Sequence, residues 1–258
     1  MKEKITIKNE MTIEREIEDK KNNNNNNKNN INYKKRILEI LKGILTFIIF
    51  MSSSYLQIIP ILLFNIDVNN YTASDLAIVN TVTDIILLII LVALYYKELK
   101  VEFRSFKKNY KTDLDTGLKY WVVGLIVMCV SNIIIGLITP LNTSSNEEAV
   151  QGLITATPYL MLLTAGIIAP ITEELTFRKG ISKIFKNKWV YAIASGLIFG
   201  FLHVMGSSNP LEYLYIIPYG SLGFFFALTC YETKNIYPSI CMHAIHNSAL
   251  VLLSIFTF

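Results

Sequence analysis

The stretch Met161–Gly180, MLLTAGIIAPITEELTFRKG, decides how this chain is to be read. It is apolar over most of a membrane-crossing length, yet it carries Glu173 and Glu174, with Arg178 one helical turn later. Ionisable groups at membrane depth are costly, and their default reading is a site that faces a protein interior or a water-filled cavity. On an α-helix, residues four apart share a face and neighbours are turned by ~100° from each other. The spacing therefore predicts an ion pair between Glu174 and Arg178, and it leaves Glu173 pointing elsewhere, available for proton transfer. Pro170 lies three residues upstream of Glu173. Its ring pushes against the carbonyl of Gly166 and removes a helix hydrogen bond, so a break that admits water is expected there. The competing reading is three interfacial charges at a helix end, followed by Lys179.

All three histidines lie in two further apolar segments. His203 sits in SGLIFGFLHVMG, and His243 and His246 sit in YPSICMHAIHNSALVLLSIF. Gly196 and Gly200 form a GxxxG face that lets another helix approach closely. Phe199 is one turn before His203 on the same side. A core imidazole bonded to a backbone carbonyl is the competing reading of His203. In the last segment His243 and Asn247 are spaced to share a face, with His246 near its edge. An imidazole and a carboxamide on one stripe can orient a water or donate to a developing oxyanion. As ordinary polar contacts between helices they would be worth ~1 kcal/mol each. Counted inward from Lys188, both Glu173 and His203 lie ~20 Å away, so they are expected level across a helical hairpin. Asn247 is at similar depth counted from Lys234.

The 258-residue chain is 52% hydrophobic, with a mean hydropathy of +0.40. That is too apolar for a single soluble core. Seven stretches are near the length of a membrane helix: 36–64, 75–96, 116–141, 155–185, 189–205, 211–231 and 236–258. The first could be two elements around Pro60, which would make eight. The expected fold is an all-α, polytopic transmembrane bundle. Residues 36–258 form the integral membrane domain, and residues 1–35, rich in Asn and Lys, form a disordered cytoplasmic tail. No signal peptide is visible. The net charge of +4 comes from clusters beside apolar spans, which is not a nucleic-acid footprint. Basic and non-basic connections alternate along the chain, which places the N-terminus in the cytoplasm of a multi-pass protein of the cell membrane. Cys129, Cys230 and Cys241 read as buried apolar thiols.

Three patterns stand in order, each in its own apolar helix: EExxxR at Glu173–Arg178, FxxxH at Phe199–His203 and HxxxN at His243–Asn247. Together they resemble the CPBP family of intramembrane proteases, which covers type II CAAX prenyl endopeptidases and bacteriocin-processing or abortive-infection-type proteins. The matching part runs from about Thr155 to Phe258. The resemblance implies an endopeptidase whose site lies within the membrane, acting on a peptide or lipidated-peptide substrate among membrane lipids. It implies Glu173 as the base that activates water, with His203 assisting. It implies His243 and Asn247 as the groups that stabilise the oxyanion, and Glu174, Arg178 and Phe199 as supports. His246 is outside the motif and reads as a packing residue. On cofactors the resemblance leaves two mechanisms open. One is metal-free; the other is a zinc held by Glu173, His203 and His243, although no HExxH is present. A catalytically silent immunity or scaffold protein and a proton-coupled transporter are the competing functions. Against the transporter stands the confinement of the ionisable groups to the C-terminal half.

Overall fold

The computed structural model describes residues 31–257, and among these every regular element is helical. Most of the expected N-terminal tail lies outside the described residues; its last five residues, 31–35, are helical. The chain divides into two units, Met1–Lys42 and Gly43–Phe258. Helix α1 covers Ile31–Met51 and continues the chain from the first unit into the second. A 3-10 turn at Ser53–Gln57 leads into α2, Ile58–Leu63. The break therefore falls at Ser52 and not at Pro60, which sits in the first turn of α2, where a missing N–H costs little. The remaining helices are α3 (Ala73–Ile138), α4 (Ser145–Ala156), α5 (Pro158–Ile184), α6 (Lys188–Leu202), α7 (Ile216–Thr233) and α8 (Tyr237–Thr257).

Helix α3 corrects the count of seven separate spans. Its 66 residues would measure ~99 Å if straight, over three times the hydrocarbon thickness of a bilayer. Its contacts show two arms. Thr81 Oγ1 lies 2.6 Å from Thr164 Oγ1, beside Ala165, the residue that Asn247 of α8 reaches. Further along α3, the Glu102 carbonyl accepts from Asn235 at the start of α8. Gly117 then packs on Pro238 and Met242, Gly124 on Leu222 and Phe225, and Ile135 on Val204 and Tyr215. The helix thus descends the bundle, turns back between Glu102 and Gly117, and climbs it again. The expected loop KELKVEFRSFKKNYK is helical because it has no Gly or Pro to stop a helix and is rich in helix-forming Lys, Glu and Arg. Two expected spans are therefore arms of one helix. The fifteen residues of α6 make a third departure, being ~22 Å long and short for a crossing. Among the described residues four helices are long and apolar enough to cross a membrane, or five if α1 and the segment after it count as one broken span.

A second unexpected helix is α4, in the segment NTSSNEEAVQG. Ser144 caps it by accepting from the Glu147 N–H at 3.2 Å. Glu212 accepts from the Ser145 N–H at 2.8 Å and its hydroxyl at 2.7 Å, placing an anion at the helix N-terminus.

The site is carried by α5, α6, α7 and α8. A cluster of Phe177, Ile181, Tyr191, Phe199 and Leu228 joins the first three. Between α6 and α7 the approach is backbone on backbone. A Cβ on Gly200 would stand 2.5 Å from the Ile216 carbonyl oxygen, and one on Gly196 would stand 2.7 Å from that of Gly220. The GxxxG face therefore meets a glycine face on its partner. Outward, Leu137, Ile133, Leu253 and Phe256 are among many large apolar side chains left exposed. That is a surface for lipid, and the chain is an integral membrane protein. Cys129 is on this exposed surface, while Cys230 and Cys241 are half-buried, so only partial burial of the thiols is found.

Candidate active site

Helix α5 departs from α geometry twice, with π turns at Thr164–Ile168 and Glu174–Gly180. The first runs into Pro170, which has no N–H to give to the preceding turn. The carbonyls left behind are taken by α8. Asn247 Nδ2 donates to the Ala165 oxygen at 3.0 Å, and Ser248 Oγ donates to the Gly166 oxygen at 3.1 Å. A Cβ at Gly166 would stand 2.7 Å from Ser248 Oγ, so the contact needs glycine. In the second π turn, the Phe177 carbonyl accepts from Ser195 at 2.8 Å and the Arg178 carbonyl from Tyr191 at 3.2 Å. The helix is irregular just before Pro170, where it is sewn to α8, and again at the second π turn, where it is sewn to α6. Such turns recur at functional sites, where they re-aim side chains.

Glu174 is wholly buried. Its Oε1 receives His243 Nδ1 at 2.9 Å and Arg178 Nη2 at 2.9 Å, and its Oε2 receives the Ser239 hydroxyl. The Arg178 approach is an ion pair by distance, but none of the three guanidinium nitrogens meets hydrogen-bond geometry with a protein acceptor. The guanidinium lies instead over the rings of Phe199 and Phe226, 4.6 and 5.6 Å from their centroids. Cation–π attraction in a desolvated setting compensates part of its burial.

With Nδ1 on Glu174, the other nitrogen of His243 faces Glu173. Its Nε2 lies 3.5 Å from Glu173 Oε2, longer than a direct hydrogen bond. The imidazole is held between two carboxylates and wedged by Phe226, stacked at 5.1 Å, and by the edge of Phe199 at 5.9 Å. Glu173 itself keeps 19% of its side-chain surface exposed, against none for Glu174.

His203 caps α6 and bonds through Nδ1 to the Phe199 carbonyl at 2.8 Å. A carbonyl only accepts, so Nδ1 carries the proton and Nε2 is the free lone pair in the neutral ring. The ring packs between Phe199 at 4.5 Å and Tyr219 at 4.6 Å, and it lies within electrostatic reach of Glu173 and His243. His246 is turned away and packs against the edge of Trp121. Thus Glu173, Glu174, Arg178, Phe199, His203 and His243 come together. Asn247 is one turn on, with its amide committed to the π turn.

Three residues were not singled out from the sequence. Ser239 is four residues before His243, on the same face, a spacing that could have found it. Asp84, in the first arm of α3, lies within electrostatic reach of Glu173. It is a lone acid inside an expected span, so the ionisable groups are not confined to the C-terminal half, and that argument against a transporter falls. Tyr219, stacked on His203 and bonded through its hydroxyl to Ser144 at 2.8 Å, has no sequence signal.

As a zinc site the arrangement does not fit. Among the described residues no three His, Cys, Asp or Glu side chains converge on a point where a metal ion could sit.

Residues 155–249 match the family model described as Type II CAAX prenyl endopeptidase Rce1-like. The similarity to the Rce1-like family is confined to that segment, and the chain spans less than half the length of the first of the curated relatives it matches. That segment contains all three motifs. The chain is 31% identical over 115 residues to "Putative membrane peptidase YdiL" of Bacillus subtilis (strain 168), a match covering 43% of this chain and 44% of that protein. It is 26% identical over 176 residues to UPF0177 protein YbdI of Lactococcus lactis subsp. lactis (strain IL1403), covering 66% and 94% respectively. No solved structure matches. The Rce1-like segment begins after α3, so Asp84 is outside it.

Proposed function

We propose that this protein is an intramembrane endopeptidase that hydrolyses a peptide bond in a membrane-associated substrate, a lipidated C-terminal tail or a leader-type peptide. The observation that carries this reading is the line Glu174–His243–Glu173, one carboxylate on each nitrogen of a buried imidazole. Glu174, saturated by Arg178, Ser239 and His243, fixes the ring. When that ring is neutral, Nε2 and Glu173 are two acceptors facing each other, and a water between them would have somewhere to send its proton.

In the reaction Glu173 takes a proton from water while the water oxygen attacks the amide carbon. The carbonyl π pair moves to oxygen. The second N–H of Asn247 is a donor available to that oxyanion, and Nε2 of His203 becomes one only when its ring is protonated. As the intermediate collapses, the C–N bond breaks and the amine leaves with the proton from Glu173. An amide within a helix is shielded by its own hydrogen bonds, so the substrate segment must enter extended or at a chain terminus.

Orientation follows the charges. The α3 turn, the α5–α6 connection and the α7–α8 turn gather at one end, where Lys179 pairs with Glu98 and Glu102, and Lys188 with Glu232. Segments 64–96, 139–177 and 202–233 contain no Lys or Arg. The basic end then faces the cytoplasm, together with the N-terminus. A cysteine placed at Asn146 should be labelled from outside intact cells and one at Lys108 should not; the reverse pattern overturns this orientation.

The activity is tested with purified full-length protein and a peptide library in detergent. E173Q keeps the shape of the side chain and removes the base. Cleavage should fall by about 10²–10⁴-fold with folding unchanged. Cleavage that survives E173Q would refute the assignment.

A further inference from the structure

The basic end of the bundle encloses a cavity of about 310 Å³, walled by the second π turn of α5, the connection into α6 and the α7–α8 turn. Four of the residues that line it are basic, Arg178, Lys179, Lys186 and Lys234, and one is acidic, Glu102. Arg178 and Lys179 are buried while Lys186 and Lys234 are exposed, so positive charge runs from the interior out to the surface. Glu102 is already engaged, its carboxylate taking Lys179 and the Ile236 N–H at 3.1 Å. With Glu174 set against Arg178 and Glu102 against Lys179, four positive charges less two negative leave an excess of two. The neighbouring pairs Lys183–Glu98 and Lys188–Glu232 add nothing to that sum. A guanidinium carries five N–H donors in a fixed fork. That of Arg178 is fully buried, and none of its three nitrogens has a protein acceptor in hydrogen-bond geometry. Glu174 and two aromatic rings offset its charge but leave those donors unmet, and buried donors of that kind call for an acceptor. The positive-inside pattern accounts for exposed lysines at this end. It does not account for a buried arginine beside a cavity. At the mouth, Lys234 holds φ at 54°, a left-handed position where glycine is easier, with its Nζ 3.7 Å from the centroid of the Tyr231 ring.

We propose that this cavity binds a phosphate group, carried by an anionic phospholipid headgroup or by free phosphate, with Lys186 and Lys234 at the mouth and Arg178 within. A guanidinium offers paired N–H groups that match phosphate oxygens, and lysine ammoniums supply charge without fixed geometry. The volume stands at the low end of small-molecule sites, which run about 300–1,000 Å³. It suits a headgroup whose chains stay outside in lipid, beside the exposed Phe185. Basic pockets between membrane helices on the cytoplasmic side take such headgroups. The lining includes Arg178 but not Glu173, His203 or His243, so the cavity is distinct from the proposed catalytic line and does not depend on the peptidase reading. Its ligand brings an anion to a cation whose burial is only partly compensated, and by mass action it stabilises the folded chain.

The test follows the melting temperature of the full chain in an uncharged detergent. One arm titrates inorganic phosphate at constant ionic strength, with chloride as the balancing ion. The other titrates phosphatidylglycerol into the micelles, with phosphatidylcholine as the zwitterionic control. The melting temperature should rise saturably, by about 5 °C at full occupancy. A rise with phosphate shows that the free anion is enough; a rise with phosphatidylglycerol alone assigns the site to a headgroup with its chains. R178A is expected to disturb folding, so the mouth lysines carry the comparison. The double variant K186Q/K234Q should shift the midpoint of the titration about tenfold toward weaker binding, as the loss of charge-assisted bonds requires. K108Q/K111Q removes the same charge from exposed lysines elsewhere at this end and should leave the midpoint where it is in wild type. The proposal is overturned if neither probe gives a saturable rise, if phosphatidylcholine reproduces the rise in full, or if the two double variants weaken it alike.

Discussion

Glu173 and Glu174 are adjacent in the chain, and their surroundings are opposite. Glu174 has no exposed surface and is met by Arg178, His243 and Ser239. Glu173 keeps partial exposure, with an imidazole at 3.5 Å and another carboxylate, Asp84, within electrostatic reach. A turn of ~100° between helical neighbours is enough to send one carboxylate into a saturated scaffold and leave the other partly exposed. On the proposed mechanism the scaffold half holds a charge that stays in place, and the open half holds one that exchanges a proton. This is why two glutamates in sequence are not redundant.

The largest effect expected from this contrast is on rate. E173Q should cost several orders of magnitude in cleavage and leave the melting temperature in detergent near that of wild type. Arg178→Ala comes next, and it should act on folding. It strands Glu174 without its ion pair, and breaking a buried pair costs about 3–5 kcal/mol. A lowered melting temperature and low yield are the expected signs, with E174Q milder because it removes the charge that needs compensation. If R178A is as stable as wild type and selectively inactive, Arg178 belongs to the open half and the contrast collapses.

The contrast was half legible in the sequence. EExxxR, FxxxH and HxxxN each rest on the four-residue repeat of a helix, and that repeat survives even in α5, where the Glu174–Arg178 pair closes across a π turn. The GxxxG of α6 was readable for the same reason. What was not readable depends on the charge of a segment being mistaken for its conformation. The basic stretch 97–111 looked like a loop because positive charge clusters outside membranes, yet its residues are good helix formers. The segment after Leu141 looked like a loop because it is polar, although Ser144 followed by Glu147 is a capping box in outline. Asp84 was in plain view as a lone acid among Ile, Leu and Thr. Its meaning required knowing that α3 returns its first arm to the side of α5, a long-range fact that no local pattern holds. Tyr219 is harder still, since its contact with His203 arises from two helices brought together by glycines.

Those glycines give the next prediction. G200A should destabilise by about 1–3 kcal/mol, because the added methyl meets backbone at 2.5 Å and neither helix can yield without moving the other. The activity of what remains folded should also fall, since α6 ends at His203 and α7 carries Tyr219 and Phe226. Wild-type stability in G200A would show that α6 and α7 are not locked together, and the positioning of His203 would need another cause.

The smallest effect concerns the two histidines of α8. His243 lies on the face that meets both carboxylates, and three residues further on the helix has turned His246 out of that line, against Trp121 at 6.4 Å between centroids. H246F keeps an aromatic ring in the Trp121 contact and removes both nitrogens. It should change cleavage by less than about threefold and stability by less than about 1 kcal/mol, within the range of a tolerated substitution. H243F, by contrast, takes away the donor to Glu174 and the group facing Glu173 together, and should be inactive. The two variants differ by one helical turn and by nothing else in composition. A rate for H246F as low as that for H243F would mean that the second imidazole takes part in the proton path, and the boundary between the scaffold and open halves would then have to be drawn through α8.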